Sequence, residues 1–170
     1  MLSVYTLRIG LGADIAAYTF TAFALGSLLG AVPLGILSDK VGRLPVLSGC
    51  AAVGLACALV MPGVTSSPTA YLMLIALWGA CAGALYAVGL AMVGDHFSGQ
   101  ALISANAAFG TVYAAAALLG PLINGTAMQL WDPHGVLVSC ALIFAAFLLI
   151  SALVVLRQSG PSADNREVRG

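Results

Sequence analysis

Between Leu44 and Gly94 the chain carries no Asp, Glu, Lys or Arg, and the same holds from Ile15 to Ser38, His96 to Trp131 and Pro133 to Leu156. Crossing the hydrocarbon core of a bilayer takes about 20 apolar residues as a helix, so each run holds at least one span. The run from Leu44 is long enough for two, and Pro62-Gly63 with Ser66-Ser67-Pro68 supplies the break between them. The runs therefore hold five spans, over residues 15–37, 45–61, 69–93, 102–130 and 136–156. Only 7% of residues are charged, where soluble domains have about a quarter, and mean hydropathy is +1.06. A barrel would need alternating strands of about 10 residues, and these Ala/Leu/Gly blocks do not alternate. The fold class is all-α transmembrane, a five-helix bundle with the lipid bilayer as solvent, because lipid forces backbone amides to bond within their own segment.

Formal net charge is zero and there is no basic arm, which excludes nucleic acid as a partner. Cys50, Cys57, Cys81 and Cys140 fall inside spans without the paired short spacings of a zinc site. They read as free packing thiols. No Ser/His/Asp set, His/Glu metal pattern or glycine-rich phosphate loop occurs, so neither enzyme chemistry, metal nor cofactor is expected. Residues 1–12 lack the basic start and cleavage site of a signal peptide.

Leu2 to Leu7 looks like the last turns of a helix, followed by a polar loop in which Asp14 is expected to cap the first full span. That span carries Ala22, Gly26 and Gly30 four apart, a spacing that lets helices approach closely in lipid. Pro33 should kink it, and Pro45 suits the start of the second. The third span has Gly79 and Gly83 four apart, with Trp78 and Tyr86 on roughly one face, and closes at residues 94–99. In the fourth, Asn106, Tyr113, Ala117 and Asn124 line one stripe of a 3.6-period helix. Gly120-Pro121 interrupts it and predicts a bend, either a hinge or a static kink. Asp132-Pro133-His134-Gly135 forms a turn before the last span, and residues 157–170 form a polar tail expected to be disordered. With five spans, Lys40, Arg43, Arg157, Arg166 and Arg169 share one face, with Arg8 opposite. Basic residues stay cytoplasmic, which puts the N-terminus outside and the C-terminus in the cytoplasm.

The densest polar cluster reads Gly35-Ile36-Leu37-Ser38-Asp39-Lys40-Val41-Gly42-Arg43. A span ending in Gly-x-Leu-Ser-Asp-Lys-x-Gly-Arg, then another span, resembles the hallmark cytoplasmic loop of the major facilitator superfamily. That family places the motif in each half of its twelve helices. The remainder of the chain has a long small-residue helix with Asn106 and Leu119-Gly120-Pro121-Leu122, then a turn and a final helix with a basic tail. With the motif, this order is similar to helices eight to twelve. Leu2 to Arg8 then corresponds to the end of helix seven, and the chain resembles an incomplete C-terminal six-helix half, most like bacterial members of unassigned or efflux-type specificity in the inner (plasma) membrane. The family rocks two such bundles about a midplane site, so the chain reads as a fragment or half that needs a partner.

The resemblance implies that Gly35, Asp39, Lys40, Gly42 and Arg43 latch the cytoplasmic side of the two halves; an ordinary positive-inside loop is the plainer reading. Asp39 and Arg43 are spaced to pair, and Asp95, on the same face, is expected to complete one charge network. Asn106, Tyr113 and Asn124 are candidates to face a substrate path or to bond helix to helix. Trp78 and Tyr86 either line the same cavity or simply pack. No Asp, Glu, Lys, Arg or His sits mid-span, so the titrating residues of a proton-driven parent would belong to the other half. Three functions compete: half of a secondary transporter for a small molecule, partnered by a separate N-terminal half; a homo-oligomeric half-transporter; and a scaffolding protein that binds partner helices through its Gly-x-x-x-Gly faces.

Overall fold

Backbone groups that meet no water must bond within their own segment, and the chain is helical almost throughout. The computed structural model describes residues 1–158. Helix α1 spans Leu2–Arg8, α2 Ala13–Val41, α3 Arg43–Val60, α4 Pro68–His96, α5 Gly99–Leu130 and α6 Gly135–Gln158, with a 3-10 turn at Met61–Gly63. Helices α2 to α6 are each long and apolar enough to cross a membrane. Arg157, expected in the polar tail, lies in α6; from residue 159 that expectation falls outside the described residues.

Helix α2 has 29 residues, about 43 Å at 1.5 Å per residue, against a hydrocarbon core of about 30 Å. Ser38 to Val41 are thus still helix, where the sequence suggested a loop after residue 37. Asp14 lies inside the first turn of α2 and does not cap it; the N-cap is Gly12, at φ +90°. The negative carboxylate suits that turn by favouring the positive end of the helix dipole. The α4 helix runs on through Gly94 and Asp95 to His96, so only Phe97 and Ser98 separate it from α5. Helices α2 and α5 continue unbroken through Pro33 and Pro121.

Lipid gives helices no hydrophobic drive toward each other, so close approach of small residues must hold them together. Parallel helices α2 and α4 pack most extensively. A Cβ at Gly26 would run into the Ala76 carbonyl and one at Gly30 into Ala80, while Gly79 and Gly83 receive the backbone at Phe23 and Ser27. The glycine faces that a scaffold would present to a partner are thus occupied within the chain. Helix α3 lies between α4 and α6, with the Phe144 ring seated over Gly54. Helix α5 touches α4 through Phe109 against Gly89 and meets α6 where Gly135 abuts the Ala127 carbonyl. Across its most apolar stretch, no residue of α5 is buried.

Candidate functional site

The charged end is built around a one-residue joint. Gly42 has φ 106° and ψ 152°, a conformation cheap only for glycine, and α3 starts at the next residue. This folds Arg43 back over the end of α2. Its Nη1 donates to Asp39 Oδ1 at 2.5 Å and to Ser38 Oγ at 2.7 Å, while Nε donates to Asp95 Oδ2 at 2.8 Å. Ser38 is buried and donates in turn to the Gly35 carbonyl at 2.7 Å.

Each of these three charges is badly placed alone. Asp39 and Asp95 sit in the last turns of α2 and α4, at the negative ends of the helix dipoles, and Arg43 sits at the positive end of α3. Together they offset one another. Lys40 is exposed beside them, and Gly35 has open space where a Cβ would point.

At the opposite end lie contacts that the sequence did not reveal. Arg8 Nη1 pairs with Asp132 Oδ1 at 2.5 Å, and the Tyr5 hydroxyl lies 3.4 Å from His134 Nδ1, so α1 is tied to the α5–α6 turn. Below them the Thr6 hydroxyl meets those of Thr19 at 3.1 Å and Tyr71 at 2.8 Å. Among the described residues no buried side-chain nitrogen or oxygen lacks a partner. Thr6, Thr19 and Tyr71 were visible as polar residues in apolar runs, but their pairing is non-local and left no periodic signal.

A cavity of about 410 Å³ opens between α1, α2, α4, α5 and α6, with Thr19, Phe20, Trp78, Asn124, Ile143 and Phe144 in its wall. Trp78 packs against Phe144 with ring centroids 6.2 Å apart. Asn124 Oδ1 accepts from Ser139 Oγ at 2.5 Å, which fixes its amide between α5 and α6.

The remaining expected lining residues lie elsewhere. Tyr86 meets Tyr113 edge-on at 4.9 Å and Phe109 at 5.6 Å on the α4–α5 seam, so Trp78 and Tyr86 do not share this cavity. Asn106 is exposed near the start of α5, and Gly120 and Pro121 lie farther along the same helix. The cavity wall is apolar apart from a few groups such as the Thr19 hydroxyl, the Asn124 amide and the Cys140 thiol.

The sequence model of the Major Facilitator Superfamily matches residues 1–170. The chain belongs to that superfamily. This superfamily member is 33% identical over 129 residues to the uncharacterized MFS-type transporter YfkF of Bacillus subtilis (strain 168), a match covering 76% of the chain and 33% of the relative. It is 28% identical over 149 residues to the multidrug transporters MdfA of Edwardsiella piscicida and Edwardsiella tarda (strain FL6-60), covering 87% of the chain and 35% of each relative. The chain thus spans about a third of the length of the curated relatives it matches. No solved structure matches it significantly. Family membership and the five apolar helices make the chain a multi-pass membrane protein of a transporter superfamily.

Proposed function

We propose that the chain forms part of the second half of a secondary transporter for a small molecule, with α2 to α6 corresponding to helices eight to twelve and α1 to the end of helix seven. It works against a first half, carried on a separate or an adjoining polypeptide. The observation that carries this reading is the uncovered surface of α5. Tyr113 is 57% exposed and Asn106 is exposed too, while Gly110 and Gly120 have open space where a Cβ would point. Polar side chains at membrane depth turn toward protein rather than acyl chains. Glycine inside a helix costs about 0.5–1 kcal/mol relative to alanine, a cost that the close approach of another backbone would offset. A second bundle meets both needs, and the substrate path then runs between it and α5.

In this arrangement the Asp39–Arg43–Asp95 cluster latches the cytoplasmic side of the two halves. The N-terminus lies outside and the C-terminus in the cytoplasm of the inner membrane. The relatives named multidrug transporters support export of apolar or amphipathic compounds, and ion-coupling residues are assigned to the first half. The scaffold reading is weaker because the Gly26, Gly30, Gly79 and Gly83 faces are already filled within the chain.

Co-expression with the first six-helix half of a relative tests this. The two pieces are expected to copurify and to lower accumulation of a fluorescent lipophilic dye in cells, which neither does alone. Halves that fail to copurify, or a stable pair that leaves accumulation unchanged, would remove the proposal.

A further inference from the structure

The interface of α3 with α4 holds chemistry that transport leaves unused. Cys50 on α3 and Cys81 on α4 are 4% and 5% exposed, both are free thiols, and both belong to one apolar cluster with Val46, Leu47, Ala84 and Val88. Both thiols thus sit in the same packed seam between the two helices. Both also form the wall of a second cavity of about 410 Å³, whose other lining residues, such as Leu34, Val53 and Leu77, are apolar. We propose that this thiol pair is a binding site for a soft divalent cation that accepts two ligands in a line, the chemistry of Hg(II).

Three arguments select that class of ion. Thiolate sulfur prefers soft metals. Among the described residues no group of three or more His, Cys, Asp or Glu gathers here or elsewhere, and zinc, which takes four ligands, is left with too few. Finally, a charge left in an apolar wall is costly unless it is neutralised. Two thiolates with a divalent ion make a neutral unit, whereas a monovalent soft ion would leave one negative charge among leucines and valines.

Mercuric chloride, itself neutral, reaches such a cavity from the lipid side. Two S–H and two Hg–Cl bonds break, two S–Hg bonds form, and two protons and two chlorides leave, with no change of oxidation state. The remaining cysteines serve as comparisons: Cys57, also buried on α3, does not line this cavity, and Cys140 lines the other one.

The test uses the whole chain in lipid nanodiscs with HgCl2 as the probe, followed by excess monothiol and elemental counting of retained mercury. The unaltered chain is expected to keep about one mercury. Cys50→Ser and Cys81→Ser should release it at least about ten-fold faster, since a bridging ion must break two bonds to leave. Cys57→Ser and Cys140→Ser should match the unaltered chain. Mercury-edge X-ray absorption on the unaltered chain should report two sulfur neighbours, a readout that does not require any variant to fold. A single sulfur neighbour, or retention that depends on Cys57 instead of Cys50, overturns the assignment.

Discussion

Arg43 on α3 and Asp95 at the end of α4 are joined at 2.8 Å through the guanidinium Nε, while Nη1 of the same group holds Asp39 and Ser38 on α2. One side chain therefore ties three helix ends. Lysine offers a compact point charge and not a planar fork, so it cannot serve both carboxylates in this geometry. In the complemented transporter, Arg43→Lys and Asp95→Asn are each expected to lower dye efflux about ten-fold, a coupling of ordinary allosteric size. Helix content by circular dichroism should stay unchanged. Full efflux in Arg43→Lys would reduce the cluster to a surface anchor.

The α2–α4 seam leaves no room for a methyl group. Gly26→Ala places its Cβ against the Ala76 backbone, and overpacking of this kind costs about 1–3 kcal/mol, or more where the obstacle is backbone. Reversible unfolding in mixed micelles should register that loss. Gly49→Ala, whose Cβ meets nothing within 4 Å, should be neutral or stabilising by up to about 1 kcal/mol from helix propensity.

Tyr71 is fully buried and its hydroxyl meets that of Thr6 at 2.8 Å. In Tyr71→Phe, Thr6 keeps its bonds to Thr19 and to the Leu2 carbonyl, so the expected cost is only about 1 kcal/mol. Tyr71→Ala also empties the ring volume and should cost about 3–5 kcal/mol. Similar losses for the two variants would show that the hydroxyl, and not the ring, dominates.

Orientation is open to direct labelling. With the N-terminus outside, a single cysteine at Arg8 should react with an impermeant maleimide in intact cells. One at Lys40 should react only after permeabilisation, both in a background lacking the four native cysteines. The reverse pattern would invert the topology and move the Arg43 cluster to the outer face.

The legibility of this fold in its sequence depends on which interactions are local. Charge-free runs mark the five crossing helices, because the bilayer acts on every residue of a span in the same way. The spacing of Gly26 with Gly30 and of Gly79 with Gly83 marked surfaces for close packing, yet not that they would meet each other. Asp39 and Arg43, four apart, were legible as a pair, whereas Arg8 with Asp132 and Thr6 with Tyr71 join segments far apart in the chain and leave no pattern. The stripe from Asn106 to Asn124 divided because neighbours, not periodicity, set its partners: Asn124 found Ser139 on α6 and Tyr113 found Tyr86 on α4. The ends of α2 and α4 ran past the expected loops because nothing in Ser38 to Val41, or in Gly94 to His96, stops a helix already under way.

Gly42 alone separates α2 from α3. A connection that short has no slack, so the two rods inherit each other's tilt, and a swing of one at this elbow must drag the other with it. Splicing a few flexible residues into the elbow would leave every contact surface in place while cutting the mechanical drive between them.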